Sequence, residues 1–311
     1  MWTAAARHWD GVTRTAGGAL TASRAVPAPL PTLATAAGRR LLGHDVVPAW
    51  SPELPHGGTR RPSRPAAAPV AVYFPACLST IFGPAEGSPG VRDAFLTLCE
   101  RAGVSVRIPD GIASLCCGTP WKSKGLTDGY AIMRERVAPV LRRATDGGSL
   151  PVVIDAASCT EGLHQLLADE AINVVDAIVF VDSTVLPALP TGRPVPSLVV
   201  HPTCSSTRLG INPALLRVAA AAAREVVQPD DWNCCAFAGD RGLLHPELTR
   251  SATAAEAAAV GSHRATAHVS VNRTCELGMT RATGHPYRHL LELLEEVTRP
   301  LSPSAIANGD T

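Results

Sequence analysis

From residue 69 onward, short unbroken apolar blocks alternate with longer stretches in which apolar residues recur at helical spacing. Val70-Ala71-Val72-Tyr73-Phe74 is such a block and predicts a buried strand, closed by Pro75-Ala76-Cys77. Residues 90–102 predict a helix with Val91, Phe95, Leu98 and Ala102 on its apolar positions. Val104 to Ile108 predicts a strand, Ser123 to Arg143 a long helix, and Val152-Val153-Ile154 a short strand running into Asp155-Ala156-Ala157-Ser158-Cys159. Unbroken apolar strands alternating with helices predict an α/β fold with a mostly parallel sheet and helices on both faces.

The same order then recurs. Ser197-Leu198-Val199-Val200-His201-Pro202-Thr203-Cys204 repeats the pattern of strand, proline, one residue, cysteine. Ala214 to Glu225 predicts a helix, Val226-Val227 a short strand, Pro246 to Val260 a helix, and Val269-Ser270-Val271 a strand before Asn272-Arg273-Thr274-Cys275. A pattern met twice in this way implies two pseudo-repeated β/α halves, 69–190 and 191–300. Residues 1–68 differ: they are rich in Ala, Arg, Pro and Gly, with acids only at Asp10, Asp45 and Glu53. They predict a helical lead-in and then a flexible linker, extended or disordered across 54–65, although an Arg-rich, acid-poor start also resembles a transit peptide. Residues 301–311 predict a disordered tail.

The 311 residues suffice for real hydrophobic cores. The net charge of +1 leaves no electrostatic footprint for nucleic acid, and the apolar stretches are too short to cross a bilayer. No signal-peptide core is present at the start, so a cytoplasmic location is expected, compatible with peripheral attachment to the inner face of the membrane. Only two of the 28 basic residues are lysines, Lys122 and Lys124, and both closely follow a cysteine pair. Compact ammonium groups there suit a negatively charged neighbour; coding bias toward Arg is the simpler explanation.

The nine cysteines carry the chemistry. Eight fall into two sets of matching order: Cys77, Cys116, Cys117 and Cys159, then Cys204, Cys234, Cys235 and Cys275. In the first set 38 and 41 residues intervene, in the second 29 and 39. Adjacent cysteines rarely bridge each other, so reduced thiols for metal or redox chemistry are expected. Every cysteine loop follows a predicted strand, and such loops converge on one edge of a parallel sheet. Cys₄ sets serve both iron–sulfur clusters and zinc. The absence of any C-x-x-C knuckle, and the adjacent pairs, favour an iron–sulfur cluster, with zinc open at one site. Cys99 lies on an apolar helix face and is assigned to the core. His201 and His245 are near the sites and could ligate, but such histidines are more often merely hydrogen-bonded, and they are left out of the ligand sets.

At these residues the chain resembles a known family. Cys116-Cys117-Gly118-Thr119-Pro120-Trp121-Lys122-Ser123-Lys124-Gly125 is similar to the CCG cysteine-rich domain of iron–sulfur oxidoreductases, which occurs twice in the cysteine-rich subunit of heterodisulfide reductase and in related proteins. His201-Pro202-Thr203-Cys204, Cys234-Cys235-Ala236-Phe237-Ala238-Gly239-Asp240-Arg241 and Arg273-Thr274-Cys275-Glu276-Leu277-Gly278 resemble the C-terminal region of bacterial FAD-linked D-lactate dehydrogenases of the cytochrome or quinone type. Ala156 and Asn272 replace a further cysteine of that pattern, and Ala236 replaces its glycine.

The resemblance implies a 4Fe-4S cluster in each foursome, with Lys122, Lys124, Asp240 and Arg241 around the sulfurs. It implies an electron-transferring part of a 2-hydroxy-acid dehydrogenase, with FAD in a partner flavoprotein or an upstream domain and a cytochrome or quinone as acceptor. The activity of this chain alone is left open. The alternatives are a heterodisulfide-reductase-like thiol–disulfide subunit, a zinc-stabilised docking module, and a degenerate fragment without activity.

Overall fold

A computed structural model describes residues 2–300; the tail expected at 301–311 lies outside them. Two four-stranded sheets form, each entirely parallel. The first contains β1 (Ala71–Phe74), β2 (Val106–Arg107), β3 (Val152–Ile154) and β4 (Val174–Asp176) in the order β2-β1-β3-β4. The second contains β5 (Val195–Val200), β6 (Ala223–Val227), β7 (Ala267–Ser270) and β8 (Tyr287–His289) in the order β6-β5-β7-β8. The permutation is identical, so the α/β reading with two repeated halves holds. β1 and β3 are buried at every position because helices cover both faces, which is why their sequences are apolar without alternation.

The repeat extends to small devices. The last strand of each sheet, β4 and β8, ends on a residue whose side chain caps the helix that follows. Asp176 accepts from the Ile178 amide at 2.9 Å, and His289 Nδ1 accepts from the Leu291 amide at 3.2 Å. β4 and β8 are three-residue edge strands that the hydrophobic pattern did not predict.

Three helices precede β1: Trp2–Arg7, Trp9–Arg24 and Pro29–Leu42. The first two dock on the first half. Arg136 donates to the carbonyls of Ala6 and Arg7, each at 2.7 Å, and the Trp121 indole donates to the Trp2 carbonyl at 3.0 Å. The 54–65 stretch is extended and anchored. Gly58 passes so close to the turn after Cys77 that a Cβ would stand 1.7 Å from the Ser79 carbonyl oxygen, and Arg64 bridges to Ile108 in both directions. Between them Arg61 is buried at 2% exposure. No helix among the described residues is long and apolar enough to cross a membrane.

Candidate metal centres

The cysteine loops leave the carboxyl ends of the strands. In the first half, Cys77 follows β1 by three residues, Cys116-Cys117 close the loop after β2, and Cys159 lies in the first turn of helix Ala157–Leu166 after β3. In the second, Cys204 opens helix Cys204–Arg208 after β5, Cys234-Cys235 lie in the loop after β6, and Cys275 lies in the first turn of helix Arg273–Thr283 after β7. All eight thiols are free.

The first foursome is fully buried. Cys77 and Cys116 sulfurs are 3.8 Å apart, and Cys117 interacts with both Cys116 and Cys159. Two thiols are acidified. The Cys116 contact lowers Cys77, and contacts from Cys116 and then Cys159 pull Cys117 far below the usual thiol range. Their partners move the other way: burial raises Cys116, and the Cys117 contact followed by burial raises Cys159.

The second foursome repeats this division. Cys235 and Cys275 sulfurs are 3.1 Å apart, and Cys204 interacts with Cys234. Cys275 chiefly lowers Cys235, to about 5, and Cys204 chiefly lowers Cys234, to about 6. Cys204 and Cys275 are raised correspondingly. The exposure differs, however: Cys234 is open to solvent and Cys204 is half-buried.

The loop backbone differs too. Gly118 adopts φ +84° after the first pair, and its equivalent Ala236 is forced to φ +53°, with Ala238 at +41°. Left-handed alanine costs roughly 1–2 kcal/mol, so the second loop carries strain that the first avoids with glycine.

Sulfur spacing tests whether these sets suit a metal. Two thiolates on a tetrahedral ion with bonds of ~2.3 Å stand about 3.8 Å apart. The Cys77–Cys116 pair already has that separation, and Cys235–Cys275 must open by roughly 0.7 Å. The donors are soft sulfurs, which fits iron–sulfur clusters or zinc.

Three of the four charged residues expected around the sulfurs have side-chain partners. Lys122 donates to Gln165, while Lys124 pairs with Asp240 at 3.0 Å and sits over the Trp2 ring. The Lys124–Asp240 pair thereby links the two paired-cysteine loops. Arg241 is exposed at the start of helix Arg241–Leu244.

Other residues flank the thiols, and the hydrophobic pattern did not single them out for this. Arg61 donates to the carbonyls of Pro75 at 2.7 Å, Ala113 at 3.2 Å and Leu115 at 2.8 Å, and its charge favours the Cys77 thiolate. The Trp9 indole N–H has no oxygen or nitrogen acceptor and interacts with Cys77. Trp9 also packs edge-on against Trp121, with ring centroids 4.8 Å apart. Thr119 meets Cys117 at 3.2 Å. Ser158 donates to Asn272 Oδ1 at 3.0 Å, so Asn272, which stands where the resemblance has a further cysteine, ties its half to the loop of Cys159.

His201 is the most telling of these. It is completely buried, with Nδ1 2.7 Å from Glu256 Oε1. A ring nitrogen of His201 and the sulfurs of Cys235 and Cys275 lie within 4.8 Å of one another. Burial opposes its protonation, but the Cys235 and Glu256 contacts prevail and lift it to about 9. Cys99, by contrast, is buried on its helix face and pushed up to about 12 by burial, as a core thiol should be.

A family model for the cysteine-rich domain, CCG, matches the chain twice, over residues 71–164 and 198–280. No curated protein matches it. The chain belongs to the cysteine-rich domain family, with one copy of the domain on each sheet.

Proposed function

We propose that this member of the cysteine-rich domain family holds an iron–sulfur cluster in each half and serves as the electron-transferring part of a flavin-linked 2-hydroxy-acid dehydrogenase. The observation that supports the reading is the duplicated convergence of eight thiols, four to a half. When bound, an iron–sulfur cluster supplies one-electron chemistry.

The residues supply the rest. Cys77, Cys116, Cys117 and Cys159 would hold one cluster, and Cys204, Cys234, Cys235 and Cys275 the other. Trp9 and the buried wall around the first foursome exclude water from it. The Arg61 guanidinium is a fixed positive charge beside the Cys77 sulfur and favours the more negative oxidation state there. The open edge at Cys234 gives the second foursome the shorter path to an outside redox partner.

D-lactate as substrate, a partner flavoprotein carrying FAD and a cytochrome or quinone acceptor follow from the sequence resemblance and complete the proposal. Cys235→Ser tests the cluster directly. Protein prepared without air should lose visible absorbance and about half of its iron; unchanged iron content sinks the assignment.

A further inference from the structure

The two halves place different residues at one equivalent position. Directly before the shared proline, β1 ends on Phe74, and the corresponding residue after β5 is His201. Phe74 is ordinary core. His201 is held from every side. Its amide donates to Val269 O at 2.9 Å, its carbonyl accepts from Ser270 Oγ at 3.0 Å, and its Nδ1 meets Glu256. Glu256 comes from helix Ala254–Ser262 and is itself only 1% exposed.

That leaves Nε2. It is buried, has no oxygen or nitrogen partner, and the ring's remaining interaction is with Cys235. A buried imidazole nitrogen without a partner is costly unless something occupies it. A carboxylate on Nδ1 holds a proton there, so a metal that displaces the Nε2 proton meets the lone pair on that nitrogen, which is how metal-ligating histidines are held.

We propose that His201 is a metal ligand of the second site, joining Cys235 and Cys275 on one metal ion through Nε2, with Glu256 as the residue that orients it. The inference rests on the reading of the second half as a metal site. It makes the two sites unlike in kind: the first is all sulfur, and the second is a mixed nitrogen–sulfur set. One neutral imidazole makes the donor set less negative than thiolates alone, which distinguishes the redox or ion preference of the two halves.

Cadmium-113 is a suitable probe, because it accepts both thiolate and imidazole and reports its ligands by scalar coupling. The full chain, stripped of metal, is loaded with cadmium alone and proton–cadmium correlations are recorded. Correlations to the His201 ring protons as well as to cysteine β protons are expected. His201→Phe, which installs the residue of the first half, removes the ring correlations. Glu256→Gln keeps the volume and the ring correlations but weakens cadmium binding at this site by roughly 10–100-fold. Correlations to cysteine protons alone, or equal cadmium affinity in wild type and His201→Phe, overturn the inference while leaving the second half a metal site. No cadmium bound in the second half overturns both.

Discussion

Arg61 offers a sharp test of how the first site is built. Its guanidinium is buried without a carboxylate on it and donates to three carbonyls. Pro75 lies two residues before Cys77, and Leu115 immediately precedes Cys116, so one side chain ties together the two loops that bring those sulfurs to 3.8 Å. Arg61→Met keeps much of the volume but leaves three inward carbonyls unpaired. At roughly 1–1.5 kcal/mol each, that amounts to about 3–4 kcal/mol of stability. With a urea slope of about 2–3 kcal/mol/M, the midpoint should fall by roughly 1–2 M. Arg61→Lys keeps the charge but not the planar fork and should fall between. With the proposed cluster in the first site, its reduction potential should become more negative in Arg61→Met, because a cation beside it has gone. A midpoint shift below roughly 0.3 M with an unaltered potential would refute the reasoning.

Ala236→Gly should stabilise the second loop by about 1 kcal/mol, since it relieves a left-handed alanine at φ +53°; thermal melts that show no gain speak against strain there. His289 predicts acid lability. Burial, aided by the charge of Arg273, holds it down to about 3, well below its unfolded value. The folded state thus binds fewer protons between pH ~6.5 and ~3, and stability is full above pH ~6.5 and lost as pH falls through that window, by roughly 4–5 kcal/mol in all. His289→Asn keeps a helix-capping acceptor and removes the titration, so its stability should fall less between pH ~6 and ~4; identical acid profiles would contradict the assignment.

Much of the scaffold is legible in the residue pattern because buried parallel strands are unbroken apolar runs. Val152-Val153-Ile154 forms the predicted strand without adjustment, and Ala71–Phe74 loses only Val70. The long helix expected from Ser123 begins at Thr127, because Gly125 turns the chain at φ +69° after the short helix Thr119–Lys122. The helix expected over 246–260 is two helices, broken at Thr253, whose hydroxyl bonds back to Thr249 O at 2.7 Å. Val174–Asp176 and Tyr287–His289 escape notice because three residues carry too little periodicity.

At the sites, the cysteine sets and their order are visible in sequence, since repetition marks them. Their neighbours are not. Glu256 lies 55 residues from His201, and Arg61 sits in a stretch whose composition reads as linker. Only the pairing of the two halves, which sets His201 against Phe74, carries a signal that His201 is special. Lys122 and Lys124 stand out by rarity, yet their contacts are Gln165, Asp240 and the Trp2 ring.

What fills the two thiol foursomes decides whether this chain moves electrons. Protein isolated without air should be assayed for iron, acid-labile sulfide and zinc per chain, with an electron paramagnetic resonance spectrum of the reduced form. Several irons per chain matched by sulfide, with a cluster signal on reduction, is the predicted result. Zinc alone, or neither metal in a chain that is folded, would contradict it.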